Sequence, residues 1–463
     1  MTRLQSLTLI LLLASLGGCA TLSRDGGEQE VRATANRMMG HPEDSRNTTP
    51  RAQLRQELLK APLTMEGAVT LALLNNPGLD RTFAELRLTE ARVVAATRPR
   101  NPGISIARLE RGDERETERS VVIDLIGLLT LPARAPMEKR RYEAAKLQAV
   151  QAVLTLARDT RLAYVEALGA RQRARYAADV LDAAEAGRDL ARRLAEAGNF
   201  SRLDAAREQA FYATAAAQRV QAEAAALAAR EELVRLLGLT DPRQLQLPER
   251  LPDLPASVRE ISDVEQQALD QRVDVRLAKV QAESTARGLR LTKVTRFINV
   301  LDLGFESNTS NEAPRQTGYE VSLELPLFDF GRTRPAQAEA VYRRALAEVA
   351  ETAVKARSEA RTAYALYRSN HELARHYRDE VVPLQKQISD EVLLRYNGML
   401  VSTFEVLAQA REQVASMKAY LAALQAFWSA EARLYSTLQG AGGSPALAAS
   451  ENDIEAGAPA ARH

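Results

Sequence analysis

Cys19 is the only cysteine among the 463 residues, so its chemistry stands alone. A single thiol can form neither an internal disulfide nor a thiolate-rich metal site. It can, however, be acylated. Arg3 precedes the apolar run from Leu7 to Leu13, and Gly17-Gly18 leads directly into Cys19. A basic start, an apolar core too short to cross a bilayer and a small-residue exit read as a secretory signal over residues 1–18. Small residues before the cysteine fit the lipoprotein type of signal, in which Cys19 becomes the acylated first residue. The plainer alternative is an ordinary cleaved signal with an incidental cysteine. Several acyl chains, palmitate among them, would anchor the chain stably, because each buried methylene contributes roughly 0.8 kcal/mol. Ala20 follows, so no Asp asks for retention at an inner membrane.

Little other site chemistry is present. The imidazoles are His41, His371, His376 and His463. His371 and His376 are five apart, whereas four would put two imidazoles on one helix face. No nucleophile, base and orienting group cluster together, and no phosphate-cradling glycine loop appears, so the chain reads as a non-enzyme without cofactor or metal. There are 62 basic against 60 acidic residues, a net charge of +2, which argues against a nucleic-acid partner. Aromatic residues make up 5%, while 13 of the 25 residues 205–229 are Ala. Long helices with closely packed small faces follow from that composition.

The chain is two copies of one unit. Residues 64–239 and 261–438 carry the same parts in the same order, with Ala72-Leu73 against Ala268-Leu269 and Leu233 against Leu434. The offset drifts only from 196 to 201. Each copy opens with a helical stretch, passes through a strand-like stretch with a polar insert, and enters a long helical run (136–197 or 335–397). Each then breaks at Gly198 or Gly398 and closes with another helix. At 1.5 Å per residue the long run measures about 93 Å, near the sum of the two shorter helices. Such lengths predict a rod about 100 Å tall, with the short helices stacked end to end beside the long one. Seams from Tyr342 to Tyr367 and from Phe404 to Trp428 recur every three or four residues. Pro136 and Pro335 are expected in the first turns of their helices, and Pro383 inside one.

The strands alternate. Tyr319, Val321, Leu323, Leu325 and Leu327 interleave with Glu320, Ser322 and Glu324, and pair with the stretch Ile298 to Ser307 across a polar loop at Asn308–Thr317. Copy one repeats this with Ile104, Ile106 and Val121 to Leu125 around the charged loop Gly112–Arg119. An apolar outside and polar inside suit a transmembrane barrel, and equally a hairpin packed on a soluble domain. Four strands cannot close a water-filled barrel, so several chains would have to share one.

The duplicated unit resembles the TolC-like outer-membrane efflux channels, in their lipoprotein branch. The resemblance covers residues 63–438. It rests on Asn101-Pro102 before the first strand, Leu325-Pro326-Leu327-Phe328 running into Gly331-Arg332, Val381-Val382-Pro383, Tyr396-Asn397-Gly398 and Phe404-Glu405-Val406-Leu407. It implies a mainly α fold with a small transmembrane β part. Two repeats would supply long helical hairpins and four strands per chain, assembling as a homotrimer with a 12-stranded β-barrel on a 12-helix α-barrel. It further implies a passive conduit in the outer membrane, reaching into the periplasm. Its partners would be a periplasmic membrane-fusion adaptor and an inner-membrane pump of the RND or ABC type. The rival class is a periplasmic adaptor with long hairpins of its own, expected to carry one hairpin flanked by small β-domains.

On this plan residues 1–18 are the signal and 19–62 a lipidated extension. Repeat 1 spans 63–240 (strand pair 103–128, hairpin 136–239), followed by a linker at 241–260. Repeat 2 spans 261–439 (strand pair 297–329, hairpin 335–438), and 440–463 form a disordered tail. The resemblance places the hairpin tips at the channel's periplasmic entrance, with Gly198, Asn199, Gly398 and Met399 in the turns that meet the adaptor. Asp204 and Glu405, equivalent in the two repeats, become candidate gate carboxylates, with Arg202 and Arg395 as candidate ion-pair partners. The same two carboxylates also suit helix caps, and both roles are compatible. Ala408 and Leu400 stand where the family's second acidic site and its gate-bridging basic residue would be.

Overall fold

Helix caps and prolines set where the chain changes direction. The computed structural model describes residues 22–40, 50–298, 300–324 and 326–441. Cys19 lies outside them. Helices α1 (Glu28–Met38) and α2 (Arg51–Leu59) fold the extension before the repeats. Repeat 1 then runs α3 (Met65–Asn75), α4 (Pro77–Ala96), β1 (Gly103–Arg111), β2 (Glu114–Asp124), α5 (Leu125–Glu196) and α6 (Arg202–Leu236). Repeat 2 runs α7 (Val264–Gln271), α8 (Val273–Val294), β3 (Leu301–Ser310), β4 (Gln316–Leu323), α9 (Thr333–His376), α10 (Val382–Asn397) and α11 (Thr403–Gln439). The opening stretch is therefore two helices in each copy. The second begins at Pro77 or Val273, which are separated by the same 196 residues as Ala72 and Ala268.

Two boundaries depart from expectation. Helix α5 has 72 residues and starts at Leu125, so Pro136 lies inside it with Pro132 rather than in its first turn. Asp124 starts the helix early by accepting a bond from the Gly127 amide at 2.7 Å. Prolines four apart then remove two backbone bonds from one side of the helix. In repeat 2 the turn Tyr377–Val381 is π-helical, with the Val382 amide bonded back to the Tyr377 carbonyl. A widened turn of this kind accommodates the N–H missing at Pro383.

The chain divides into two compact units. One comprises residues up to 36, 80–150 and 273–354. Its sheet is a four-stranded antiparallel meander in the order β1-β2-β3-β4. Gly112 (φ +64°) and Asp113 make the first hairpin turn, so most of the stretch expected as a loop is strand. The second hairpin turns between Ser310 and Gln316, and β4 ends at Leu323, four residues short of the expected Leu327. Glu30 reaches Lys146 at 2.8 Å and the Arg32 guanidinium lies 4.6 Å from the Phe83 ring centre, joining α1 to α5 and α4. Arg140 meets Glu283 at 3.4 Å, bringing α5 of repeat 1 beside α8 of repeat 2.

The other unit comprises residues 37–79, 151–272 and 355 onward. Its core gathers Leu71, Leu168, Leu233, Leu237 and Phe427, each at most 1% exposed. Phe427 stacks on Tyr367 at 5.5 Å and takes the edge of His371 at 5.4 Å. The segment between the repeats belongs to this core: Leu245, Leu247, Leu251 and Leu254 are buried. Its backbone is held from both repeats. Arg171 donates to the Leu247 carbonyl, His371 bonds the Pro255 carbonyl, and Trp428 donates to that of Pro252. It is packed structure rather than a spacer, because Leu recurs at short intervals and side chains satisfy the carbonyls that no sheet or helix pairs. Gly440 (φ +81°) caps α11 and Ala441 is fully buried, so the first two residues of the expected tail are ordered. The rest of the tail lies outside the described residues.

Candidate functional site

The residues expected to carry function fall in two regions, the sheet and the hairpin tips. Strand register sorts the sheet into two unlike faces. Ile104, Val121, Phe305 and Tyr319 form one cross-strand row, and Ile123, Leu303 and Val321 the next. Tyr319 is 83% and Ile104 72% exposed, so this apolar face is bare. At the strand ends near the helices, Phe297, Leu327, Phe328 and Phe330 are also exposed. Because side chains alternate, the opposite face carries Glu114, Glu116, Glu118 and Asp124 on β2, Asp302 and Glu306 on β3, and Glu320 on β4. Arg111 is the one strand residue of opposite charge on that face.

At the tips, each hairpin closes with the same hydrogen bonds. The Asn199 amide donates to the Leu194 carbonyl, and the Leu400 amide to that of Arg395, both at 2.8 Å. This termination requires one left-handed residue. In repeat 1 that residue is Gly198 (φ +76°); in repeat 2 it is Met399 (φ +61°), while Gly398 has φ −82°. The equivalent of Gly198 is therefore Met399, 201 residues on, and the expected break at Gly398 falls one residue early.

The caps are serines. Ser201 accepts from the Asp204 amide at 3.0 Å and Ser402 from the Glu405 amide at 3.3 Å, so both carboxylates sit one turn in rather than capping. The Asp204 carboxylate accepts from the Ser201 hydroxyl at 2.7 Å and from Arg207 at 3.1 Å. Glu405 is exposed. Within the chain neither carboxylate meets the basic residues expected beside it. Arg395 pairs with Glu391 at 3.1 Å, and Arg202 makes no ion pair among the described residues.

A contact absent from the sequence reading joins the hairpins. Glu208, 2% exposed on α6, accepts from Arg411 of α11 at 2.5 Å. The Arg411 guanidinium lies 5.7 Å from the Phe211 ring centre and 5.8 Å from that of Phe404. Val180, Ala184 and Ala215 pack nearby with Phe211, Tyr212 and Val414, drawing α5, α6 and α11 together. Arg188 spreads over the Tyr212 ring at 4.1 Å and bonds Asp189, holding that carboxyl below its ordinary range. Position 208 is one turn beyond Asp204, and that spacing was the available signal.

Among the described residues no group of His, Cys, Asp and Glu could hold a metal, and no helix is long and apolar enough to cross a membrane. No family model matches the chain. The outer-membrane channel OprN superposes with a TM-score of 0.68 at 22% identity, over 84% of this chain and 92% of that one. The CmeC outer membrane channel of Campylobacter jejuni gives 0.68 at 15% identity, over 84% and 88%. The MtrE outer membrane channel of Neisseria gonorrhoeae, in its open state, gives 0.68 at 16%, over 81% and 89%. The chain has the TolC-like outer-membrane channel fold. This mainly α fold with four strands is the one expected from the resemblance. The rival adaptor plan, one hairpin flanked by small β-domains, does not describe it. Protein CyaE of Bordetella pertussis is 26% identical over 292 residues, which is 58% of this chain. The chain spans about 60% of the length of that curated relative.

Proposed function

We propose that this chain is the outer-membrane channel of a tripartite efflux system, a passive conduit for small molecules or ions. The carrying observation is the sheet, bare and apolar on one face and acidic on the other, with β1 and β4 as unpaired edges. Open strand edges are not tolerated in hydrocarbon, and four strands are too few to close on themselves. Three copies joined edge to edge would give a 12-stranded wall, with apolar rows toward lipid and carboxylates toward water. Exposed aromatic residues at one end of the strands suit the girdle of such a barrel.

The periplasmic end is assigned on this reading. The tips at Gly198-Asn199 and Gly398-Met399 dock the adaptor that recruits an RND- or ABC-type pump. Threefold symmetry turns Asp204 and Glu405 into rings of carboxylates at the entrance. Arg202 and Arg395, unengaged with them inside one chain, are then available across subunits. Cys19 carries the acyl anchor.

The deciding experiment is the native mass of the protein extracted from outer membranes in mild detergent. A threefold mass, with acyl chains on Cys19, is expected. A stable monomer would leave open edges in lipid and end the channel reading.

A further inference from the structure

The apolar face of the sheet does not stay apolar to its hairpin end. Ile106, Arg119, Ser307 and Thr317 form the row after Ile104, Val121, Phe305 and Tyr319, and Arg108 follows opposite Thr117. Arg315, in the second hairpin turn, donates to the Ser307 hydroxyl at 3.0 Å, directly beside Arg119. Arg108 is diagonal to both Arg119 and Arg115, within reach of long side chains. Four guanidinium groups thus gather on one face. The single strand carboxylate there, Glu110, meets Arg108 at 3.0 Å and Arg115 at 3.9 Å. Neither Arg119 nor Arg315 has an ion-pair partner among the described residues.

Like charges held together repel unless an anion is shared between them. The rows beneath give the anion its character. From Leu323 to Tyr319 the same face stays apolar over about 14 Å of strand, so whatever meets the arginines continues as hydrocarbon. Arginine's planar fork suits phosphate oxygens. From this arrangement we infer that Arg119 and Arg315, flanked by Arg108 and Arg115, bind the phosphates of an anionic outer-leaflet lipid whose acyl chains lie along Ile106, Phe305 and Tyr319. The inference rests on the channel reading, which places this face in lipid and the hairpin ends at the outer surface.

The test is native mass spectrometry of delipidated protein incubated with lipid A, with phosphatidylcholine or with inorganic phosphate. Wild-type trimer should retain lipid A in preference to phosphatidylcholine, and excess inorganic phosphate should not displace it. Arg119→Gln/Arg315→Gln should weaken retention about tenfold or more, the loss of one or two charge-assisted bonds. Arg119→Lys/Arg315→Lys should keep part of it, and Arg111→Gln, on the acidic face, should change nothing. Equal retention by the glutamine double variant, equal retention of phosphatidylcholine, or displacement by inorganic phosphate would each overturn the inference. The same spectra separate the two ideas. A monomeric mass removes the channel reading itself, whereas a trimer that ignores lipid A removes only the lipid site. A bilayer conductance equal to wild type shows that the double variant is assembled.

Discussion

Arg411 reaches across from the second hairpin to Glu208 on the first, ending 2.5 Å from a carboxylate that is 2% exposed. Removing one member leaves a charge stranded between helices. Glu208→Gln or Arg411→Ala should therefore cost on the order of 3 kcal/mol, measured by denaturant unfolding. Exchanging both for apolar residues of similar size should cost far less. In planar bilayers the single variants should also open more readily, since the pair ties the two hairpins together near their tips. Identical open probability would show that the pair serves folding alone.

Met399 pays for a left-handed turn that Gly198 makes freely. Met399→Gly should stabilise the protein by about 0.5–1 kcal/mol, the relief of the Cβ clash less the extra chain entropy of glycine. Gly198→Ala should destabilise by about 1 kcal/mol. Thermal melts of the detergent-solubilised protein would register both signs.

Cap and gate roles at the tips can be pulled apart. Ser201→Ala and Ser402→Ala should each cost about 1 kcal/mol of stability and leave ion selectivity alone. Asp204→Ala/Glu405→Ala should raise conductance or reduce cation preference, as read from reversal potentials across a salt gradient. Unchanged current and selectivity in that double variant would take both carboxylates out of the gate.

Glu431 lies where burial raises its carboxyl above the ordinary range, against the opposing pull of Arg161. An acid with a raised folded pKa favours the folded state while protonated. That contribution is full below the ordinary, unfolded glutamate value and is lost as pH rises from there through the folded value. Glu431→Gln should thus stabilise the protein at neutral pH and flatten the pH dependence of its unfolding just above the ordinary range. A variant with an unchanged slope there would contradict this.

The repeats were legible because a 196-residue shift brings Ala72 onto Ala268, and the strands because Tyr319 to Leu323 alternate. The long helical runs were legible up to their breaks near Gly198 and Gly398, whereas the start of α5 at Leu125, eleven residues before the expected 136, was not. What the sequence does not display is tertiary. Leu245 to Leu254 have linker composition, and only packing against both repeats makes them core. The Glu208–Arg411 pair joins residues 203 apart on helices whose relative rotation no periodicity reveals. Glycine marks left-handed turns so often that residue type alone points to Gly398 rather than to its neighbour. The hydrogen bonds place the turn at Met399 instead.

The meander has an even number of strands, so β4 of one copy can meet β1 of the next in antiparallel fashion, head to tail. Each subunit then supplies one half of each of two joints in the ring, and one defective edge spoils the whole. A proline placed in β4 should behave as a dominant-negative allele. Co-expressed equally with the normal gene, it would leave roughly one trimer in eight intact if subunits mix at random. Genetic dosage would thereby count the subunits in living cells.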